Sequence, residues 1–198
     1  HIQIPQGGPV ADYVHFHKVE FQIIYCYRGW VRVVYEDQGP PFVIEPGDCV
    51  LQPPQIRHRV LESAPGLEVV EIACPAEHET LTAGEFVLPT GVLDTKRLFS
   101  SQRFVWHKAA DAIWDSSWLK GFECCDTGVS KGSAKFARVH VLRRIKRSEA
   151  FLQSHAGELS FFFLLEGGMT LHAAGQRDVR LGEADAFVIP AGLNFAFF

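Results

Sequence analysis

The sequence predicts an all-β protein made of short antiparallel strands, and three observations carry that expectation. Short runs of β-branched and aromatic residues recur at close spacing, glycine and proline turns separate them, and the first half sustains no helical period. Such a pattern belongs to a sandwich or a barrel. The sequence also carries an internal repeat. Setting Gly29 over Gly167 puts His17 over His155, an offset of 138 residues; with one residue removed, Asp48 lies over Asp185 and Pro53 over Pro190. Repetition at this length means two domains of one fold.

Taken in order, residues 1–14 are turn-rich through Pro5, Gly7, Gly8 and Pro9. Residues 21–35 read as a hairpin of β-branched and aromatic residues about Arg28 and Gly29. Further strands are expected at 41–44, 49–52, 58–61, 67–73 and 86–88, divided by Gly39-Pro40-Pro41, Pro46-Gly47-Asp48, Pro53-Pro54 and Pro65-Gly66. Residues 89–103 read as a connector with a helical turn. Trp106, Trp114 and Trp118 then fill a barrel end or an inter-domain seam, as large aromatic side chains do. Residues 126–134 form the most loop-like piece, and strands return at 136–142, 159–165, 169–172, 186–189 and from Phe195 onward. The boundaries that follow are a first domain over 1–88, a connector over 89–103 and a second domain over 104–198.

With 47% hydrophobic and 21% charged residues in 198, a packed core is expected of a soluble protein. A net charge of -4 without a basic stripe argues against nucleic acid as a partner. The basic cluster Arg143, Arg144, Lys146 and Arg147 reads as a solvated strand end. Five cysteines without a C-x-x-C pair favour reduced thiols and a cytoplasmic location. Cys26, Cys49 and Cys74 sit in apolar runs as small core residues, and adjacent Cys124 and Cys125 face opposite ways on a strand. No apolar run approaches the roughly 20 residues that span a bilayer, so no membrane partner is expected. The chain starts without methionine and stops inside an apolar strand pattern, so further material is expected at both ends.

The chemistry concentrates in His15, His17, Gln22 and His58. Histidines two apart on a strand share a face and reach one ion. Three neutral imidazoles and an amide oxygen suit one divalent transition metal ion, Fe, Mn, Ni, Co or Zn, with open positions for a small-molecule substrate. Gln22 stands an odd number of residues after His17, so a bend or bulge is needed to turn it inward. In the repeat, His15 falls on Gln153, Gln22 on Ser160 and His58 on Phe195, so the second copy keeps one of four candidate ligands. Arg57 and Arg59 flank His58 and are candidates to meet a substrate carboxylate, against a bland reading as solvated charges.

This arrangement resembles the cupins, specifically a two-cupin chain. The family's first motif, H-x-H followed by a glutamate and then a glycine, is matched by His15, His17 and Gly29. The second motif is matched by Pro46-Gly47-Asp48, Pro53 and His58. The family's glutamate is replaced by Gln22. The resemblance implies two antiparallel jelly-roll barrels, the ion in the first, strands exchanged between domains or subunits, and a homodimer. It also implies dioxygenase-type chemistry on a small organic molecule. Replacing glutamate removes a charge and a proton acceptor, so a base must come from elsewhere, with Tyr25 and Glu71 as candidates. A redox-neutral isomerase or lyase on a sugar acid is the alternative, because similar cupins pair three histidines with a glutamine. A non-catalytic ligand-binding or sensor module is the third reading.

Overall fold

The computed structural model describes residues 1–11, 13–145 and 152–198. Within them the chain divides into two compact units, one of residues 1–114 and 125–141, the other of 115–124 and 142–198. Lys146 and Arg147 of the basic cluster lie outside the described residues.

In the first unit the strands are β1 (Ile2–Ile4), β2 (Gly8–Pro9), β3 (His15–His17), β4 (Phe21–Arg28), β5 (Val31–Tyr35) and β6 (Phe42–Ile44). They continue with β7 (Cys49–Leu51), β8 (His58–Ser63), β9 (Leu67–Cys74), β10 (Thr80–Thr82) and β11 (Val105–His107). Two antiparallel sheets result, with orders β1-β9-β4-β7-β11 and β10-β3-β8-β5-β6, and β2 pairs with β8. This is a cupin-like jelly roll. β4 and β5 lie in different sheets, which is why 21–35 is not a hairpin: β4 pairs with β7 and β9, whereas β5 pairs with β6 and β8. Gly29 makes the crossing at φ 72°, and a Cβ there would stand 3.0 Å from Leu67 Cα.

Period-two alternation on β4 and β9 sends Ile24, Cys26, Leu67 and Val69 to a core shared with Val31, Val33, Tyr35, Ile44 and Val50. Each large apolar side chain so buried contributes about 1.5–3 kcal/mol. The opposite face of β4 carries Phe21 and Ile23, which pack with Cys49, Leu51 and Val129. Val129 belongs to one helical turn, α1 (Val129–Gly132), inside the segment expected to be loop; its wholly buried side chain anchors that turn. Gly132 is required there, since a Cβ would meet Val105 Cγ2 at 2.4 Å.

Other expectations are corrected. Residues 86–88 are not a strand; Thr80–Thr82 is, paired to β3. The turn-rich start supplies β1 and β2. The connector 89–103 contains no helix. Residue 104 does not divide the units, because β11 pairs with β7 of the first sheet. Of the tryptophans, Trp106 packs against the first core, stacked 4.1 Å from Phe42, while Trp118 is exposed. Cys26 and Cys49 are buried, but Cys74 ends its strand exposed.

β12 (Asp115–Ser116) pairs with β13 (Phe122–Asp126), of which Cys125 and Asp126 belong to the first unit; β14 (His140–Arg144), which starts four residues later than expected, enters the second unit at Leu142. The second unit continues with β15 (Leu159–Phe163), β16 (Met169–Ala173), β17 (Val179–Leu181), β18 (Ala186–Pro190) and β19 (Phe195–Phe197). Its core gathers Leu119, Leu171, Leu181, Ile189, Phe195 and Phe197. Burial of the aromatic runs is partial, with Phe161 and Phe198 exposed. No helix among the described residues is long and apolar enough to cross a membrane.

Candidate metal centre

Three adjacent strands of the second sheet set the histidines in a row. His15 on β3 pairs with His58 on β8, and His58 pairs in turn with Tyr35 on β5. Cross-strand partners share a face, so the His15 and His58 rings lie 4.2 Å apart and Tyr35 stacks 5.3 Å from His58. His17, two residues from His15, lies on the same face with its ring 5.2 Å from each of the other two. The ligand nitrogens of all three lie within 4.8 Å of one another.

Each ring is anchored through Nδ1: His15 to the Tyr13 carbonyl at 2.9 Å, His17 to Thr80 Oγ1 at 2.9 Å and His58 to the Ile56 carbonyl at 3.1 Å. A carbonyl accepts only, so Nδ1 carries the proton in His15 and His58, and Nε2 keeps the lone pair a metal needs. Burial pushes the His58 pKa down to about 3, holding that ring neutral. The donor set therefore fits a divalent ion in chemistry and orientation.

The facing sheet supplies a buried amide chain. Gln22 donates from Nε2 to Glu71 Oε1 at 2.7 Å, and its Oε1 accepts from Gln52 Nε2 at 2.8 Å. Tyr35 donates its hydroxyl to Gln52 Oε1 at 2.8 Å, which turns the Gln52 amide nitrogen toward Gln22 and toward His58 Nε2, 3.3 Å away. The odd spacing from His17 to Gln22 needs no bulge, because the chain changes sheets between β3 and β4 and Gln22 points inward from the opposite wall.

The structure thus brings His15, His17 and His58 together and sets Gln22, hydrogen-bonded, in the same interior. Tyr25 lies on the reverse face of β4 and is no candidate base, whereas Glu71 is inside and one hydrogen bond from Gln22. Arg57 is tied to buried Glu36 at 3.0 Å, which Arg97 also meets at 2.9 Å, and it lines a cleft with Phe16, whose side chain alternates away from the histidines. Arg59 Nε is buried without a partner. Sequence reasoning missed Gln52, Thr80 and His78, whose ring stands 5.2 Å from His17. A glutamine closing the apolar run Cys49–Leu51 was the available signal for the first; Thr80 and His78 come near only because β10 pairs with β3.

Residues 1–74 match the family model described as "Cupin domain". No curated protein matches. Among solved structures, a mutant of Bacillus subtilis oxalate decarboxylase OxdC superposes with a TM-score of 0.65 at 12% identity, covering 93% of this chain and 61% of that one. The Lactobacillus farciminis oxalate decarboxylase formate complex gives 0.65 at 14% identity, covering 97% and 70%. Salicylate 1,2-dioxygenase from Pseudaminobacter salicylatoxidans gives 0.64 at 14% identity, covering 96% and 64%. The chain spans about six tenths of the length of the first of these structures. At such identities the likeness is one of fold.

Proposed function

We propose that this chain is a metal-dependent tandem cupin acting on a small organic molecule, an oxidoreductase of the dioxygenase type whose divalent transition ion is held by His15, His17, His58 and Gln22. The observation that carries this reading is the trio of imidazoles, each fixed through Nδ1 by its own acceptor or hydroxyl, with their ligand nitrogens within 4.8 Å of one another. Gln22 as fourth ligand is supported by Gln52: its one amide nitrogen faces both Gln22 Oε1 and His58 Nε2, so those two lone pairs converge. When bound, the ion supplies Lewis acidity and, if it is iron, redox chemistry. The chain's own part is to orient the imidazoles, to keep His58 neutral and to place an amide where a carboxylate would otherwise face the ion. Glu71 is the interior carboxylate closest to hand for proton handling, one amide away from the ion's place.

In this reading the metal-binding cupin takes in β11 as well as residues 1–88, and the degenerate cupin is carried by the later strands β15 to β19, in a homodimer. A redox-neutral isomerase or lyase is the second reading, favoured by the uncharged residue at position 22 and by the presence of a decarboxylase among the similar folds. Elemental analysis of the purified chain, followed by oxygen uptake over phenols, diketones and flavonols, tests the proposal. Stoichiometric iron with substrate-dependent uptake is expected. Turnover of a sugar acid without oxygen would replace it by the second reading. Ligand binding that survives loss of the ion in His58→Ala would replace it by a sensor.

A further inference from the structure

The first sheet has a second chemical face. Alternation along β4 turns Tyr25 away from Gln22, onto the side where Phe21, Ile23 and Cys49 pack. On that side a cleft of about 150 Å³ is lined by Tyr25, His107, Trp114 and Cys125 among small apolar side chains. The Cys125 thiol lies 3.7 Å from His107 Nε2, within reach of an S–H···N hydrogen bond. The two come from different segments, β13 and β11, and meet only in the folded chain. A thiol beside an imidazole at the wall of a cavity is the arrangement that activates a nucleophile.

His107 is suited to the role of acceptor. Burial holds its pKa below the ordinary value, so the ring is neutral, while the carboxylates of Asp48, Asp126 and Asp111 act in the opposite sense and favour the cation formed when it takes a proton. Burial pushes the Cys26 and Cys49 thiols up to about 12. Cys125 is also buried, at 1% exposure, so a reagent reaches it only by entering the cleft it lines. The same carboxylates disfavour an anionic reagent.

We propose that Cys125 is a nucleophilic thiol, with His107 as its proton acceptor, open to covalent modification by small uncharged electrophiles that enter this cleft. With an alkyl iodide, the S–C bond forms as the C–I bond breaks, iodide leaves, and the thiol proton passes to His107 Nε2 and on to water. With a hydroperoxide as oxidant, the S–O bond forms as the O–O bond breaks. Sulfur is oxidised by two electrons to the sulfenic acid, and the proton from His107 completes the departing water or alcohol.

Iodoacetamide and iodoacetate, applied to the folded full chain and read by peptide mass mapping over time, test this. Iodoacetamide is expected to label Cys125 together with exposed Cys74, and to spare Cys26 and Cys49. Iodoacetate is expected to lose more rate at Cys125 than at Cys74. In His107→Gln the Cys125 rate is expected to fall at least about tenfold with the Cys74 rate unchanged. Hydrogen peroxide is expected to leave a trappable sulfenic acid on Cys125. A Cys125 left unlabelled while Cys74 reacts, or one that reacts equally fast in His107→Gln, overturns the proposal; the unsubstituted chain provides the first of these outcomes whatever the variant's folding.

Discussion

The two halves of the chain share several strand pairings in the same register and differ in the side chains those strands carry. In the first, Val31 pairs with Ile44 and Val33 with Phe42; in the second, Met169 pairs with Leu181 and Leu171 with Val179, the same register at offsets of 138 and 137. Ile24 facing Val50 recurs as Phe162 facing Phe187. The row His15, His58 and Tyr35 recurs as Gln153, Phe195 and Ala173. A ladder of backbone hydrogen bonds with period-two burial is indifferent to which side chains face inward, provided their volumes fill the space. The second copy puts Phe195 against Phe162 and Phe197, where the first puts a buried imidazole and an amide chain.

Four experiments test this correspondence, given in decreasing order of the change each should produce. His58→Phe gives the first copy the residue of the second. Elemental analysis is expected to fall from one ion per chain to none, while far-ultraviolet circular dichroism is unchanged. Loss of the fold along with the ion would mean that the copies are not interchangeable at this position.

The same substitution has a pH signature. The His58 pKa is about 3 in the folded chain against 6.5 unperturbed, so the unfolded chain takes the proton first on acidification. Stability is therefore lost as pH falls from about 6.5 to about 3, by roughly 3–5 kcal/mol in all. Urea unfolding across this range is expected to show that loss in the metal-free wild type and a shallower one in His58→Phe; parallel curves would show that the buried ring is not its source.

Tyr35→Phe removes the hydroxyl that orients Gln52 and makes the row more like that of the second copy. A metal affinity reduced about 10–100-fold, as for other groups that hold ligands in place, is expected by competitive chelation, with a stability cost of about 1 kcal/mol. An unchanged affinity would dissociate the amide chain from the ion. The reverse graft, Gln153→His with Ser160→Gln and Phe195→His, is expected to add at most weak metal binding. Ala173 stands where Tyr35 would be, and His155 spends Nε2 on the Ile189 carbonyl at 2.9 Å. Stoichiometric binding of a second ion would show that the ligands alone suffice.

Much of this was legible before folding because it rests on local chemistry. His15 and His17 share a face through strand period, and Pro46-Gly47-Asp48 marks a turn because Gly47 adopts φ 90° and Asp48 Oδ2 accepts from the Glu45 backbone N–H. The repeat was legible because equal turns at equal spacing imply equal ladders. The crossing at Gly29 was misread as a hairpin because both outcomes need the same turn and the same apolar runs. Only long-range pairing decides between them.

By itself, then, the sequence determined the all-β architecture, the recurring strand pattern and the grouping of His15, His17 and His58, since periodicity, turn residues and donor type are properties of short segments. The tertiary structure alone decided that β3 and β4 lie in opposite sheets, so that Gln22 faces the histidines without a bulge. It also decided that Gln52, Tyr35 and Glu71 complete an amide chain, and that His107 meets Cys125. Each depends on which strands pair across tens of residues, a choice made by burying one face of every strand at once rather than by any segment's own preference.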